Sequence, residues 1–571
     1  MQAAALQEWN RSEAKSKTRL LRLFPSLTDF AFLFPLAIIF GFLKGSGMLF
    51  ADGDTGWHIR TGQWILAHGT VPRFDLYSYT KPHQHWFAWE WGWDTIFGGI
   101  DRVAGLAGVA FVTIVLLCLI SALLFRLVRW QCGNDLAALA FTGLAMLVST
   151  MHWLARPHLV SWLFALIFLH VVARAEAGNR RLLWWLPVLT IAWTNLHGAF
   201  FVGIVILMAS AIGRAIKGLS FAKRAPWRAI CASAAPYLWC ALGCLAATFV
   251  NPYGWRLQRH VLSYLFDSKL LNHISEFQSP DFHNPSMIFF EILLLLGITS
   301  VVWCWRSKRY AAAILIVAWA HLALVSARNM PFFVFFAAPA VAAMVCDWAR
   351  PLQGKAADTL REISRELRPM ERVERVYLVS GLAVFVVACG LLFHFPKCDA
   401  RFSPKRFPVA AVPALEAAHV SRLFTTDQWG DYLIYRLYPS IRVFMDGRSD
   451  FYGPAFMTRY LHLIHARYNW QAELRHFGVD AVLVSPKCAL AAVLKEAPGW
   501  HVLYDDGQAI LFQRARGVSL RPAMSPPVAT SAAVAGQRPT PQPPTIFQAE
   551  RSLQTGRPTS KFTISYERSN S

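Results

Sequence analysis

The sequence VAGLAGVAFVTIVLLCLISALLFRLV, residues 103–128, contains one charged side chain, Arg126. An α-helix advances by about 1.5 Å per residue, so it needs about 20 mostly apolar residues to cross the hydrocarbon core of a bilayer. This stretch is long enough and apolar enough to do so. It therefore predicts a membrane-spanning helix.

Ten further stretches share this composition and bring the number of predicted spans to about eleven. They are residues 29–50, 135–155, 158–175, 182–196, 198–214, 229–250, 286–305, 310–327, 331–348 and 377–395. The whole chain of 571 residues is 55% hydrophobic and only 16% charged, whereas soluble proteins carry about 25% charged residues. The composition excludes a disordered chain and argues against an ordinary soluble enzyme. We predict a mainly α protein, a polytopic transmembrane helix bundle.

The basic residues indicate which side of the membrane each connection faces. They gather in the N-terminal segment and in alternate connections, including Arg126 and Arg129, Arg180 and Arg181, and residues 350–375. Loops rich in Lys and Arg stay in the cytoplasm. The N-terminus is thus predicted to be cytoplasmic. The net charge of +22 is explained by topology, which argues against nucleic acid as a partner.

This topology divides the chain into four parts. Residues 1–28 are a cytoplasmic segment, and residues 29–395 are the bundle, which includes a long outer loop at 51–102. Residues 396–515 alternate apolar strands with helical stretches, as in a small extracytoplasmic α/β domain. Residues 516–571 are rich in Pro, Ser, Thr and Gln, a composition typical of a disordered tail.

Acidic residues open and close the outer loop. Asp52 and Asp54 follow the first span, His58 lies four residues after Asp54, and Glu90 and Asp94 lie near the end of the loop. Two carboxylates at this spacing can hold a divalent cation, Mg²⁺ or Mn²⁺, or act in proton transfer. The spacing is equally compatible with two aspartates that cap the next helix, with the Trp residues around them forming an interfacial belt.

Further polar motifs are predicted at the same membrane face. They are Arg156 and His158 between spans 3 and 4, Asn195 and His197 between spans 5 and 6, Asn251 and Tyr253 after span 7, Glu276 in the loop that follows, and Arg328 before span 10. Each of them, taken alone, is also ordinary chemistry for a turn or a span end. Their convergence on one face is what favours a common site.

The position of these motifs resembles the GT-C class of membrane glycosyltransferases. Their pattern also resembles a largely uncharacterised bacterial family of GT-C-like integral membrane proteins, over residues 30–515. The motifs that carry this resemblance are Asp52-x-Asp54-x-x-Trp57-His58, Arg156-Pro157-His158, Trp193-x-Asn195-Leu196-His197-Gly198, Asn251-Pro252-Tyr253-Gly254-Trp255 and Arg328-Asn329.

The resemblance implies an enzyme of the bacterial inner membrane that takes a sugar from a polyprenyl-phosphate donor. The acceptor would be a hydroxyl of a lipid, glycan or protein at the outer face. Asp54 would be the general base or a metal-linked acid, supported by Asp52 and Glu90, with His58 orienting one of them. Arg156, His158, His197 and Arg328 would bind the donor phosphate, while Asn195, Asn251, Tyr253 and Glu276 would line the substrate site.

The C-terminal region distantly resembles the domain that follows the bundle in the catalytic subunit of oligosaccharyltransferase. There a Trp-Trp-Asp-Tyr-Gly motif helps to hold the acceptor sequon, and here Trp429-Gly430-Asp431-Tyr432 is the matching stretch. The second Trp is replaced by Gly, and no Gly follows the Tyr. Trp429, Asp431 and Tyr432 are therefore acceptor-binding candidates, with helix capping and packing as the alternative roles.

Two other classes of function remain open at this point. A lipid or glycan transporter would place ionisable groups near the middle of the bilayer, and the apolar stretches here are nearly free of them, with Lys44 as the main exception. A non-catalytic membrane protein with a GT-C-like fold is the other alternative.

Overall fold

The structure is a computed structural model that describes residues 22–220, 226–371 and 375–515. Most of the predicted cytoplasmic segment and all of the predicted tail at 516–571 lie outside these residues. The described residues belong to one compact unit, so the contacts between the bundle and the C-terminal domain can be described together.

The first two thirds of the chain fold into helices. They are α1 (Leu27–Phe42), α2 (Asp54–His68), α3 (Trp91–Cys132), α4 (Asp135–Ser149), α5 (His158–Glu176), α6 (Leu186–Leu196), α7 (Phe201–Ser220), α8 (Trp227–Ala247), α9 (Trp255–Leu265), α10 (Ser268–Leu271), α11 (Ile288–Arg306), α12 (Tyr310–Val325), α13 (Met330–Ala349), α14 (Lys355–Glu371) and α15 (Leu378–Leu392). The last turns of α1 are π-helical.

Every predicted span overlaps one of these helices, although the span predicted at 29–50 extends beyond the end of α1 at Phe42 into a separate 3₁₀ segment, Ser46–Phe50. Within the described residues, seven helical segments are long and apolar enough to cross a membrane, and α1, α12 and α15 are shorter apolar helices. The predicted span at 182–196 is a short 3₁₀ segment followed by the eleven residues of α6. The mainly helical, multi-pass character is confirmed, whereas the number of eleven spans stays a prediction.

The outward surfaces of these helices are apolar, as contact with lipid requires. Leu295 and Val302 of α11 are 68% and 57% exposed, and Leu382 of α15 is 59% exposed. Soluble proteins rarely leave apolar patches of this extent in water. The opposite faces are packed, most completely in α13, where Met330–Met344 is buried without interruption.

The C-terminal region is a small α/β domain. Its elements are α16 (Val412–Ala417), β1 (Arg422–Thr425), α17 (Asp427–Leu437), β2 (Arg442–Val443), α18 (Ser449–Ile464), α19 (Trp470–His476), β3 (Ala481–Val484), α20 (Ala489–Glu496), β4 (Trp500–Asp505) and β5 (Ile510–Arg514). The five strands form one sheet in the order β2-β1-β3-β5-β4. The first three are parallel, and β4 and β5 form an antiparallel hairpin, as the Asp506-Gly507 turn predicts.

Helix α17 of this domain docks directly on α2 of the outer loop. Gly53 and Gly56 face it, and a Cβ atom on either would lie within 2.4 Å of the backbone carbonyl oxygen of Gln428 or Asp431. Only glycine permits two backbones to approach this closely. The glycines of the Asp-Gly-Asp-Thr-Gly sequence therefore bring the acids of the loop against the C-terminal domain.

Candidate active site

Three carboxylates from two distant segments meet around one guanidinium group at the end of the bundle that carries the C-terminal domain. Nη1 of Arg156 lies 2.9 Å from Oδ2 of Asp52 and 2.5 Å from Oε1 of Glu276, and its Nη2 lies 2.6 Å from Oδ2 of Asp54. Arg328 joins them, since its Nη1 lies 3.4 Å from the other carboxylate oxygen of Glu276. We call these five residues the acidic centre.

Short turns position Asp52, Asp54 and Arg156 of the acidic centre. Asp54 is the first residue of α2, and its N–H donates to Oδ1 of Asp52. The predicted capping role thus uses one oxygen of Asp52, while the other holds Arg156. The Arg156 N–H donates to the carbonyl of Leu154, and Pro157 follows at the start of α5. Because Pro has no N–H and a fixed φ, it can stand at the N-cap of α5, directly after Arg156.

Burial and the mixture of charges shift the pKa values of this site. Burial raises the pKa of Asp54 to about 7; Arg156 opposes this rise, and the neighbouring Asp52 and Glu276 add to it. The pKa of Glu276 is lowered by Arg156 and Arg328 against the effect of its burial. Glu276 therefore stays ionised near neutral pH, whereas Asp54 gains and loses a proton there, as a general base must.

A second row of polar groups runs beside the acidic centre and is centred on Glu90. His58 Nδ1 lies 2.6 Å from Oδ1 of Asp94, which leaves its Nε2 turned toward Glu90 at 3.7 Å. On the other side, His197 Nε2 lies 3.5 Å from Glu90, and its Nδ1 contacts Ser161 Oγ at 2.6 Å. We call these five residues the histidine row.

The histidine row favours neutral imidazoles and a protonated acid. Burial raises the pKa of Glu90 to about 8, an effect that Arg328 and Arg156 oppose. Burial, followed by the charge of Arg156, lowers the pKa of His58 well below its usual value. A neutral Glu90 between two neutral imidazoles can donate a hydrogen bond to a bound oxygen or relay a proton.

The C-terminal domain contributes one acid directly to the acidic centre. The carboxyl groups of Asp54 and Asp431 both lie beside Gly447, whose backbone N–H donates to Oδ1 of Asp431 at 2.8 Å. Oδ1 of Asp54 and Oδ2 of Asp431 are both buried and have no hydrogen-bond partner among the described residues. Burial, followed by the charge of Asp54, raises the pKa of Asp431 well above its usual value, so the pair holds one proton at neutral pH.

Gly447 leaves room for this carboxyl pair. A Cβ atom at this position would lie 2.2 Å from Oδ1 of Asp54 and 2.8 Å from Oδ2 of Asp431. We expect Gly447→Ala to separate the two carboxyls, to lower turnover by about 10²-fold and to cost about 1–3 kcal/mol of stability from overpacking. Gly381→Ala is the control, because no atom lies within 4 Å of its added Cβ. Equal turnover in the two variants would contradict the assignment.

A buried ion cluster next to Gly447 fastens the outer loop to the C-terminal domain. The Arg448 guanidinium contacts Asp75 of the loop at 2.6 Å and Asp446 at 2.7 Å, and all three side chains are at most 1% exposed. The guanidinium carbon also lies 4.4 Å from the ring centre of Trp86. These contacts hold the Gly447 turn against the loop that carries Asp54.

Several residues predicted to bind substrate serve the architecture in this structure. Asn195 accepts from the indole of Trp91 and donates to the Val250 carbonyl, Asn251 stabilises its own turn, and the Tyr253 hydroxyl bonds the backbone of Ala88 and Pro72. His158 bonds the carbonyl of His152.

In the C-terminal motif, Trp429 and Tyr432 are buried. Trp429 donates to the Arg406 carbonyl, and Tyr432 packs on Phe402 and Phe407. Asp431 alone of its motif contacts the acidic centre.

Other members of the site were absent from the sequence prediction. Ser161 belongs to the histidine row, and the Gly447 turn belongs to the carboxyl pair. Asp94, by contrast, was expected with Glu90 among the acids at the end of the outer loop, and its contact with His58 places it in the histidine row. Ser161 lies within an apolar span, and no spacing marks Gly447.

Asp52 and Asp54, which were predicted as metal ligands, pair with an arginine in this structure. Both carboxylates face the Arg156 guanidinium, so the cation they hold in this structure is a side chain. Among residues 22–220, 226–371 and 375–515, no group of three or more His, Cys, Asp or Glu is arranged to hold a metal ion. The donor set therefore does not fit Mg²⁺ or Mn²⁺ while Arg156 is in place.

Comparison with known proteins finds similarity in structure only. No family model and no curated protein matches the sequence. Similar solved structures include the apo oligosaccharyltransferase of Archaeoglobus fulgidus, with a TM-score of 0.49 and 12% identity over 80% of this chain and 69% of that one. The same enzyme tethered to an NVT acceptor peptide has a TM-score of 0.46 and 11% identity over 86% of this chain and 74% of that one.

The oligosaccharyltransferase AglB of A. fulgidus, in complex with an inhibitory peptide and a dolichol-phosphate, also matches. Its TM-score is 0.46, with 11% identity over 87% of this chain and 74% of that one.

Proposed function

We propose that this chain is a membrane glycosyltransferase that moves a sugar from a polyprenyl-phosphate donor to a hydroxyl of a lipid, glycan or protein acceptor. The reaction takes place at the outer face of a bacterial inner membrane, with the N-terminus in the cytoplasm and the C-terminal domain outside. The observation that carries the proposal is the position of Asp54, a buried acid with a pKa of about 7 at the end of a bundle of membrane helices.

Asp54 has the properties of the base in such a transfer. The acceptor hydroxyl attacks the anomeric carbon, the bond from that carbon to the phosphate oxygen breaks, and polyprenyl phosphate leaves with the electron pair. The proton of the hydroxyl passes to Asp54, which Arg156 holds at 2.6 Å. Fixing the carboxylate in this way lowers the cost of reaching a reactive geometry.

The phosphate of the donor requires a cation that substrate can reach. Arg328 is the more accessible of the two arginines, with 31% of its side chain exposed against 13% for Arg156, and its guanidinium lies 5.2 Å from the ring centre of Phe277. An arginine can bind phosphate through two parallel hydrogen bonds. We assign donor binding mainly to Arg328, with Arg156 as a buried positive charge behind it.

The C-terminal domain supplies the acceptor side of the proposed site. Asp431 and the Gly447 turn meet Asp54 from that domain, and the Arg448 cluster holds the turn in place. An acceptor bound by this domain would be next to the base. Because residues 429–432 depart from the Trp-Trp-Asp-Tyr-Gly motif, the motif does not identify the acceptor. The activity assay has to determine whether the acceptor is a lipid, a glycan or a protein.

The pH dependence of turnover tests the role of Asp54. A base works in its ionised form, so we expect turnover to rise as the pH increases through about 7. Arg156, Asp52, Glu276 and Asp431 are the charged or titratable groups that influence its pKa. Glu276→Gln removes a charge that raises this pKa and should move the rise to lower pH, whereas the exposed Asp281→Asn should leave it unchanged. A profile that is flat between pH 5 and 9 would contradict the role.

The proposed activity is tested with purified protein in vesicles. The vesicles contain a panel of polyprenyl-phosphate sugars, with and without a chelator, and released polyprenyl phosphate is measured by mass spectrometry. We expect release with at least one donor and none in protein-free vesicles. Movement of the intact donor between leaflets without release would instead favour a transporter. Absence of both release and donor binding would favour a non-catalytic protein.

A further inference from the structure

Arg156 occupies the place that an acidic site normally offers to a metal ion. Its two terminal nitrogens contact Asp52, Asp54 and Glu276 at 2.9, 2.6 and 2.5 Å. These carboxylates come from the outer loop and from a loop more than two hundred residues later. Carboxylate oxygens are ligands that hard divalent cations prefer.

The guanidinium uses the carboxylate oxygens that a metal ion would need. Nη1 of Arg156 contacts both Asp52 and Glu276, and Nη2 contacts Asp54. The remaining oxygen of Asp52 accepts the Asp54 N–H, that of Asp54 faces Asp431, and that of Glu276 faces Arg328. Asp52 and Glu276 are thus engaged on both oxygens, whereas Oδ1 of Asp54 is buried without a hydrogen-bond donor.

The backbone next to Arg156 is fixed by hydrogen bonds, and its side chain is largely buried. Ala155 donates its N–H to the Leu49 carbonyl, its carbonyl accepts from the Thr55 hydroxyl, and Pro157 follows Arg156 directly. The side chain is 13% exposed. A buried arginine with three carboxylates around it stays charged at any pH that the folded protein tolerates.

We infer that Arg156 is the resident cation of this site in place of a divalent metal ion, and that its removal converts Asp52, Asp54 and Glu276 into a metal site. The consequence for catalysis rests on the proposed function: the donor phosphate would be neutralised by Arg328 and Arg156, and turnover would be independent of Mg²⁺ and Mn²⁺. The inference about ion binding stands apart from that activity.

The test is Mn²⁺ binding to the full chain in detergent, followed by electron paramagnetic resonance of the free ion. We expect no stoichiometric binding to the wild type or to Arg156→Lys. Arg156→Ala should bind one Mn²⁺ per chain, and the double variant Arg156→Ala with Glu276→Gln should bind it at least tenfold more weakly. Methylguanidinium should compete with Mn²⁺ in Arg156→Ala, because it restores the missing cation.

Two results would overturn the inference. The first is one Mn²⁺ bound per wild-type chain and lost in Glu276→Gln, a measurement that does not depend on the folding of an Arg156 variant. The second is absence of Mn²⁺ binding to an Arg156→Ala protein whose thermal unfolding remains cooperative. Both readouts are independent of turnover, so a failure of the proposed transferase activity would leave them unaffected.

Discussion

Replacing Asp54 by asparagine is expected to lower kcat for sugar transfer by about 10²- to 10⁴-fold, the contribution of a positioned general base. The amide keeps the size of the side chain, and its oxygen can still accept from Arg156, which lies 2.6 Å from Oδ2 in the wild type. It cannot take the proton of the acceptor hydroxyl. The donor reaches Arg328 as before, so its Kd should change by less than about threefold.

Steady-state kinetics together with donor binding distinguishes this role from a structural one. Asp281→Asn is the matched control, since Asp281 is an exposed acid five residues after Glu276 and should retain wild-type kcat. Loss of donor binding in Asp54→Asn in parallel with kcat would show that Asp54 organises the site without acting as its base. Unchanged kcat would remove Asp54 from the mechanism.

Replacing Arg448 by methionine is expected to destabilise the folded chain by about 3–5 kcal/mol, because it leaves two buried carboxylates without their cation. Asp75 and Asp446 are both fully buried. The Tyr452 hydroxyl and the Ser78 hydroxyl and N–H would still reach them, but these neutral donors do not offset a whole charge. The loss also removes the cation from the ring of Trp86.

Arg459→Met provides the control for this prediction. Arg459 pairs with Glu473 in the same domain, but the two side chains are 42% and 33% exposed, and exposed pairs contribute at most about 1 kcal/mol. Denaturant unfolding, followed by tryptophan fluorescence, should separate the two variants by several kcal/mol. Similar unfolding midpoints for both variants would show that the buried cluster does not fasten the loop to the domain.

The helices were predictable because a membrane imposes a strong constraint on composition. A run such as 103–128 has to be apolar, and the structure places it within the span α3. Helix ends were less predictable. Helix α3 begins at Trp91 and is kinked at Gly105, so the last part of the predicted outer loop is already helical. An apolar run shows which residues lie in the hydrocarbon core of the membrane. It does not show how many further turns the helix makes outside that core.

The acids of the candidate site could be found from the sequence, but their partners could not. Asp52 and Asp54 stand out because acids are rare in this chain, whereas the contact of Asp54 with Asp431 joins positions 377 residues apart. Asn195 and Tyr253 share the polar character of site residues, yet their side chains bond nearby backbone or indole groups. Residue type alone does not show which polar side chains are hydrogen-bonded to other groups within the fold.

Sugar transfer is tested by measuring both products of one reaction in vesicles of known sidedness. Wild type and Asp54→Asn receive the same labelled polyprenyl-phosphate sugar and the same outer-face acceptor. We expect the wild type to yield polyprenyl phosphate and glycosylated acceptor in equal amounts at the face that bears the C-terminal domain, and Asp54→Asn to form both products at least about 10²-fold more slowly. Equal yields from both proteins, or donor that crosses the bilayer intact at the same rate in both, would contradict this expectation.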